Sequence, residues 1–111
     1  MKTSHEKYVE KQRKRAAEVA SGMLDGSIHY LEGTIELSSL RFEVDLPEDD
    51  KDFLAFSGVA SEIDHLPIGN PRQYWSKEAL VRHEPEIQES IKWAKEFSLS
   101  ECKSIVARFN A

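Results

Sequence analysis

The chain has little cysteine, glycine or proline. Its 111 residues include one cysteine, five glycines and four prolines. A lone cysteine, Cys102, cannot form an internal disulfide, and the glycines do not gather into a phosphate-binding loop. No apolar run approaches the roughly eighteen residues that a membrane-spanning helix needs, and no signal-peptide pattern opens the sequence. We therefore expect a cytoplasmic protein that folds without disulfide bonds.

A strand pattern is missing as well, because β-branched residues never alternate with polar ones over four or more positions. Apolar residues recur instead at helical spacing. The sequence predicts an all-α fold, a single-domain bundle of four to five helices over residues 1–111. Pro67, Gly69 and Pro71 fall within five residues and interrupt the helices with a Pro/Gly-rich loop near residues 65–75.

Two helices are predicted in the first half of the chain. The first spans residues 5–24 and has Thr3 or Ser4 as its N-cap and Gly26 as its C-cap. The second can be capped by Ser27, runs to about residue 44 and carries a wide apolar face. Gly33 in its interior predicts either a break or close packing against another backbone.

The second half of the chain predicts two or three further helices. Asp49 or Asp50 caps a helix that runs to about residue 63. A short helix at 77–82 is followed by a new start at Pro85, since proline is well tolerated at a first helical position. Residues 85–109 form one helix or two, with Phe97 in the apolar stripe and Trp93 beside it.

Charge is distributed unevenly along the chain. The net charge of −5 conceals +4 over residues 1–15, −9 over residues 16–75 and a balanced remainder. Such an acidic field repels nucleic acid and membranes and attracts basic proteins. The densest acidic stretch holds six carboxylates, on Glu43, Asp45, Glu48, Asp49, Asp50 and Asp52.

Two interpretations of the acidic stretch stay open. It is a docking surface for a basic protein if its carboxylates stay hydrated and unpaired, and neutralisation by Arg41, Lys51 or Arg72 removes that role. Alternatively, it is a solvated loop and helix start that complements the helix dipole. For the basic residues 1–15, the pattern favours a solvent-projecting helix start over a nucleic-acid contact.

Arg72, Tyr74 and Trp75 follow the prolines and are of the types enriched in binding hot spots. A proline-stiffened loop presents such side chains at low entropic cost. The alternative places Trp75 in the core, with Arg72 paired to Glu62 or Asp64.

The sequence gives only weak support to a metal site or a catalytic site. Glu62, Asp64 and His65 are donors suited to divalent cations, and His29 or His83 can join them, but the paired helical spacing of a metal motif is incomplete. Cys102 lies on the apolar side of the last helix, where a core thiol is expected. We predict no catalytic residue, no metal and no cofactor.

A family resemblance concerns residues from Ala16 to Phe109. The arrangement resembles a small bacterial family carried as a domain of unknown function, and because that family has no assigned activity the resemblance implies no residue roles. The residues that carry it are Asp49-Asp50-x-Asp52-Phe53, Ser61-Glu62-x-Asp64-x-Leu66-Pro67-x-Gly69, Arg72, Trp75, Cys102 and Arg108-Phe109.

The leading hypothesis is a non-enzymatic acidic helical protein that binds a basic protein partner, with no nucleic acid or membrane involved. The chain is similar in size, charge and helical character to bacterial immunity proteins and antitoxins. The predicted contact surface joins the six carboxylates to Arg72, Tyr74 and Trp75. The alternative is a small-ligand or metal-binding module centred on residues 62–75.

Overall fold

The computed structural model describes residues 1–109, without the side chain of Asn70, and contains four α helices over that range. A short 3-10 helix, Asn70–Tyr74, lies in the loop before the last α helix. No strand occurs in the described part of the chain, so the predicted all-α bundle is confirmed. The α helices are α1 (Ser4–Asp25), α2 (Tyr30–Leu40), α3 (Lys51–Glu62) and α4 (Lys77–Phe109).

The ends of α1 follow the predicted capping chemistry. The Thr3 hydroxyl accepts a hydrogen bond from the Glu6 amide at 3.1 Å. At the other end Gly26 adopts the left-handed conformation, with φ 87°, and ends the helix. The predicted span of 5–24 is therefore correct within one residue at each end.

Helix α2 is shorter than predicted at both ends. It begins at Tyr30 because the His29 imidazole caps it, with Nδ1 accepting from the Leu31 amide at 3.2 Å. It ends at Leu40, and the turn that follows leads to Asp45, which has a left-handed φ of 52°. The prediction of a helix from residue 27 to residue 44 was wrong at these margins.

Gly33 lies where α1 and α2 pack closely, but its near neighbour is the Met23 side chain and not the other backbone that was predicted. A Cβ atom on Gly33 would lie 2.4 Å from Met23 Cγ, well inside van der Waals contact. Gly22 packs against the segment between the two helices, since a Cβ there would lie 2.6 Å from Ile28 Cδ1. Helix α2 runs unbroken through Gly33, so the predicted break does not occur.

Helix α4 is one continuous helix of 33 residues, and the predicted separate helix at 77–82 was wrong. Pro85 lies inside it. Proline removes the one amide that would bond the Val81 carbonyl. Val81 is 75% exposed, so water reaches this part of the helix and limits the cost of the missing hydrogen bond.

The helices pack side by side into an elongated molecule of 54 × 27 × 25 Å. Cys102 Sγ on α4 lies 3.3 Å from the Ala20 carbonyl oxygen on α1, within a core that includes Val19, Leu31, Phe56 and Ile105. Within residues 1–109, no helix has both the length and the apolar content that crossing a bilayer requires.

Helix α3 runs antiparallel to α4 along the other flank of the bundle. Asp52, at its start, contacts Ser104 and Arg108, whereas His65, just past its end, contacts Glu86. The start of α3 therefore lies near the C-terminal end of α4. The loop of residues 63–76 lies at the opposite end of the molecule.

Candidate functional site

Two of the six acidic side chains form hydrogen bonds and ion pairs with other helices of the fold. The side chain of Asp52 is 4% exposed, and Oδ2 accepts hydrogen bonds from Ser104 Oγ at 2.6 Å and Arg108 Nη1 at 2.8 Å. Asp50 caps α3 and accepts from Arg108 Nη2 at 2.8 Å. The prediction that all six carboxylates stay hydrated and unpaired was therefore wrong for Asp50 and Asp52.

The ionic cluster of Asp50, Asp52 and Arg108 has a clear electrostatic consequence. Hydrogen bonding to the Arg108 guanidinium lowers the pKa of Asp50 below its ordinary value of 3.8, and the same bond raises the pKa of Arg108. Arg108 lies more than fifty residues from the two aspartates in the chain. Sequence reasoning considered only nearer cations as partners and so missed it.

The remaining four carboxylates form the acidic loop, defined here as Glu43, Asp45, Glu48 and Asp49. All four residues are exposed. Glu43 accepts a hydrogen bond from the Tyr8 hydroxyl at 3.0 Å.

Arg13 pins the acidic loop to α1. Its Nε donates to the Val44 carbonyl at 2.8 Å, and its Nη2 donates to the Asp45 carbonyl at 3.2 Å. The loop therefore has a defined backbone path between two anchors, Arg13 on α1 and the Asp50 cap on α3.

The basic start of α1 is exposed over residues 1–8 and is tied to the fold by Tyr8, Val9 and Arg13. Val9 is 7% exposed, and Tyr8 and Arg13 both contact the acidic loop. Lys7 and Lys11 are exposed, as the prediction required. Because positive charge lies beside the acidic loop, it reduces the negative field on that side of the loop.

Arg72, Tyr74 and Trp75 lie far from the acidic loop. Trp75 is half-buried, with its ring edge-on to His83 at 5.1 Å, and Tyr74 is 84% exposed. At 1.5 Å per residue, His83 and Arg108 are about 37 Å apart along α4. The predicted contact surface is thus divided between the two ends of the molecule.

The loop of residues 63–76 is held by hydrogen bonds to its own backbone carbonyls, such as the one from the Arg72 amide to the Gly69 carbonyl at 3.1 Å. Arg72 Nη1 approaches the Pro67 carbonyl at 3.4 Å. Among the described residues, Arg72 forms no ion pair with Glu62 or Asp64, so the predicted pairing was wrong.

The three candidate metal ligands do not assemble a metal site. His65 Nε2 lies 2.6 Å from Glu86 Oε2, and this hydrogen bond raises the pKa of His65 and lowers that of Glu86. No group of three potential ligands converges anywhere in residues 1–109. The Glu86 partner is one that the sequence interpretation missed.

A cleft of about 290 Å³ lies between the start of α2, the Pro/Gly-rich loop and the first half of α4. Pro67, Ile68 and Ile87 supply apolar walls. Its charged and titratable groups are those of His29, Glu32, Arg72 and Glu84. Apolar walls with a few convergent polar groups are typical of small-molecule sites.

Cys102 is a core residue, as predicted. It is fully buried, and burial raises the pKa of its thiol to about 11. A protonated thiol without access to solvent has no nucleophilic role.

An exposed aromatic pair on α4 was missed. Trp93 and Phe97 are 41% and 55% exposed, and their rings lie nearly parallel with centroids 5.9 Å apart. The predicted core position of Phe97 was wrong. In this part of α4 the buried face consists of Ala94, Ser98 and Cys102, and Phe97 lies outside it.

The chain was compared with known proteins at three levels. No family model, curated protein sequence or solved structure matches it. The resemblance to a small bacterial family over Ala16 to Phe109 therefore stays a prediction.

Proposed function

We propose that this chain is a non-enzymatic protein that acts by docking a basic protein through the acidic loop. The interaction is of the kind by which bacterial immunity proteins and antitoxins cover a basic toxin domain. A cytoplasmic location is part of the same proposal.

The observation that carries the proposal is the display of exposed carboxylates on an anchored loop. Asp45, Glu48 and Asp49 have no ion-pair partner in residues 1–109, so their charge is available to a cationic surface. Arg13 and the Asp50 cap hold the loop backbone before any partner arrives. A preorganised loop loses less conformational entropy on binding, and its charge accelerates the encounter at low salt.

The docking surface is smaller than the one predicted from the sequence. Asp50 and Asp52 form ion pairs with Arg108. The other three predicted residues, Arg72, Tyr74 and Trp75, lie at the other end of the molecule. The proposed surface therefore contains only Glu43, Asp45, Glu48 and Asp49.

A photo-crosslinking residue at position 48 tests this proposal in the cells that produce the protein. We expect one basic protein to crosslink from position 48 and not from position 78, an exposed position at the opposite end of the bundle. Reversing Asp45 and Asp49 to lysine should abolish the crosslink. Equal crosslinking from both positions, or none from position 48, contradicts the proposal.

The second candidate function is small-ligand binding in the cleft, favoured by the opposite charges that line it. Arg72 matches a carboxylate, and Glu32 and Glu84 match an ammonium group, so a free α-amino acid suits the cleft. Thermal unfolding with each of the twenty amino acids as probe tests this. A rise in melting temperature that Arg72→Ala removes supports the candidate, and no rise with any probe rejects it.

A further inference from the structure

The exposed aromatic pair lies at the middle of α4. This helix spans residues 77–109, so Trp93 and Phe97 lie one turn apart at its centre. Two large stacked rings, each exposed by about half, are unusual on a free surface and typical of an interface. The central position is the one that lets two antiparallel copies of α4 overlap along almost their whole length.

The charge of α4 reverses across the aromatic pair. Residues 77–91 contain four acidic and two basic side chains, whereas residues 92–109 contain four basic and two acidic ones. An antiparallel arrangement of two copies places each acidic half beside a basic half. A parallel arrangement places like charges together, which is unfavourable.

A specific register satisfies both the rings and the charges. A two-fold axis at residue 95 places Trp93 directly opposite Phe97 of the second copy. It also brings Glu89 within two residues of Lys103 of the second copy, an offset of about 3 Å along the helix. Lys92 and Glu96 are related in the same way, and the two Glu96 side chains, which also lie within two residues of each other, are flanked by the two Lys92 side chains.

All four of these charged residues are available for pairing. Glu89, Lys92, Glu96 and Lys103 are exposed, and none forms an ion pair within residues 1–109. Successive charges along this edge of α4 therefore complement the same edge of an antiparallel copy. A two-fold axis repeats each pair, as an isologous interface requires.

We propose that the face of α4 carrying Trp93 and Phe97 docks a second copy of this chain, antiparallel across a two-fold axis near residue 95. The acidic loop lies near the C-terminal end of α4 and outside this face. A dimer therefore displays two acidic loops, one toward each end of the paired helices, and the inference does not depend on the proposed function.

Sedimentation equilibrium of charge variants tests the register directly. We expect the wild-type chain to dimerise, and Glu89→Lys and Lys103→Glu each to weaken dimerisation by about tenfold because each repulsion occurs twice. The double variant should recover wild-type association, since it restores both pairs with the signs exchanged. Glu78→Lys makes the same charge change outside the overlap and should leave dimerisation unaltered.

The aromatic contact is tested with Phe97→Lys, whose fold is checked by circular dichroism. A folded Phe97→Lys variant that stays monomeric where the wild type is dimeric supports the proposal. If Phe97→Lys does not fold, the Glu89 and Lys103 charge variants alone test the proposed dimer. A wild-type chain that stays monomeric up to about 1 mM, or a double charge variant that fails to recover dimerisation, overturns the proposal.

Discussion

Arg108 is the residue on which the acidic end of the bundle depends. It binds Asp50, which caps α3, and Asp52, which is buried beside Ser104. One guanidinium thereby joins the start of α3 to the end of α4. Oδ2 of the buried Asp52 carboxylate accepts two hydrogen bonds, one of them from a cation, whereas its buried Oδ1 has no hydrogen-bond partner in residues 1–109.

Replacing Arg108 with alanine should destabilise the fold by about 2 kcal/mol. The change leaves the buried Asp52 charge without its cation, and we discount the usual cost of breaking a buried pair because Arg108 is itself about one third exposed. Urea unfolding monitored by circular dichroism measures the effect. Arg82→Ala, at an exposed arginine without an ion pair in residues 1–109, is the matched control and should change stability by less than about 0.5 kcal/mol.

Asp50→Asn should reveal the ion pair through its pH dependence. Asparagine still caps a helix, so the variant removes the charge and keeps the cap. Because Arg108 lowers the folded-state pKa of Asp50 below 3.8, the stability advantage of the wild type is complete above that value. It is lost as the pH falls through the lowered pKa. Urea midpoints measured from neutral to strongly acidic pH should converge for the two proteins, and a constant gap contradicts the assignment.

At the scale of elements, two glycines allow close packing where α1, α2 and the segment between them meet. Gly22 and Gly33 each face a side chain of the neighbouring segment at a distance that leaves no room for a Cβ atom. Gly58 on α3 is different, because a Cβ atom there meets nothing within 4 Å. The chain thus supplies both a constrained and an unconstrained helical glycine.

The two kinds of glycine predict opposite effects of the same substitution. Gly33→Ala should destabilise the protein by about 1–2 kcal/mol, because the steric cost against buried Met23 exceeds the gain in helix propensity. Gly58→Ala should stabilise it by about 0.5–1 kcal/mol through propensity alone. Thermal and urea unfolding of both variants check the prediction. Stabilisation by Gly33→Ala would show that α1 and α2 do not approach as closely as described.

Local chemistry explains which elements could be predicted. The cap at Thr3 and the left-handed Gly26 are local, and α1 followed from them. The start of α2 depends on a histidine cap, which is less typical than the serine expected at Ser27. Pro85 suggested a helix start, but propensity alone does not reveal that α4 continues through it.

At the scale of the whole molecule, the placement of the candidate site could not be predicted. Neighbours in sequence, such as Asp50 and Asp49, have different surroundings because only the first reaches Arg108. Only α3 and the Pro/Gly-rich loop lie between the acidic stretch and Trp75 in sequence, yet the antiparallel path of α3 along α4 carries them to opposite ends. Both outcomes depend on tertiary packing, which hydrophobic periodicity does not encode.

Reversal of the exposed loop charges tests the docking proposal most directly. The variant carries lysine at Asp45, Glu48 and Asp49, and its control carries lysine at Glu62, Asp64 and Glu78, so that the change in net charge is identical and lies at the opposite end. Affinity for the basic protein crosslinked from position 48 is measured by calorimetry at low and at high salt. We predict that the loop variant loses binding by about a hundredfold or more at low salt, while the control stays within about threefold of wild type. Equal losses in the two variants, or none in the loop variant, would contradict the account.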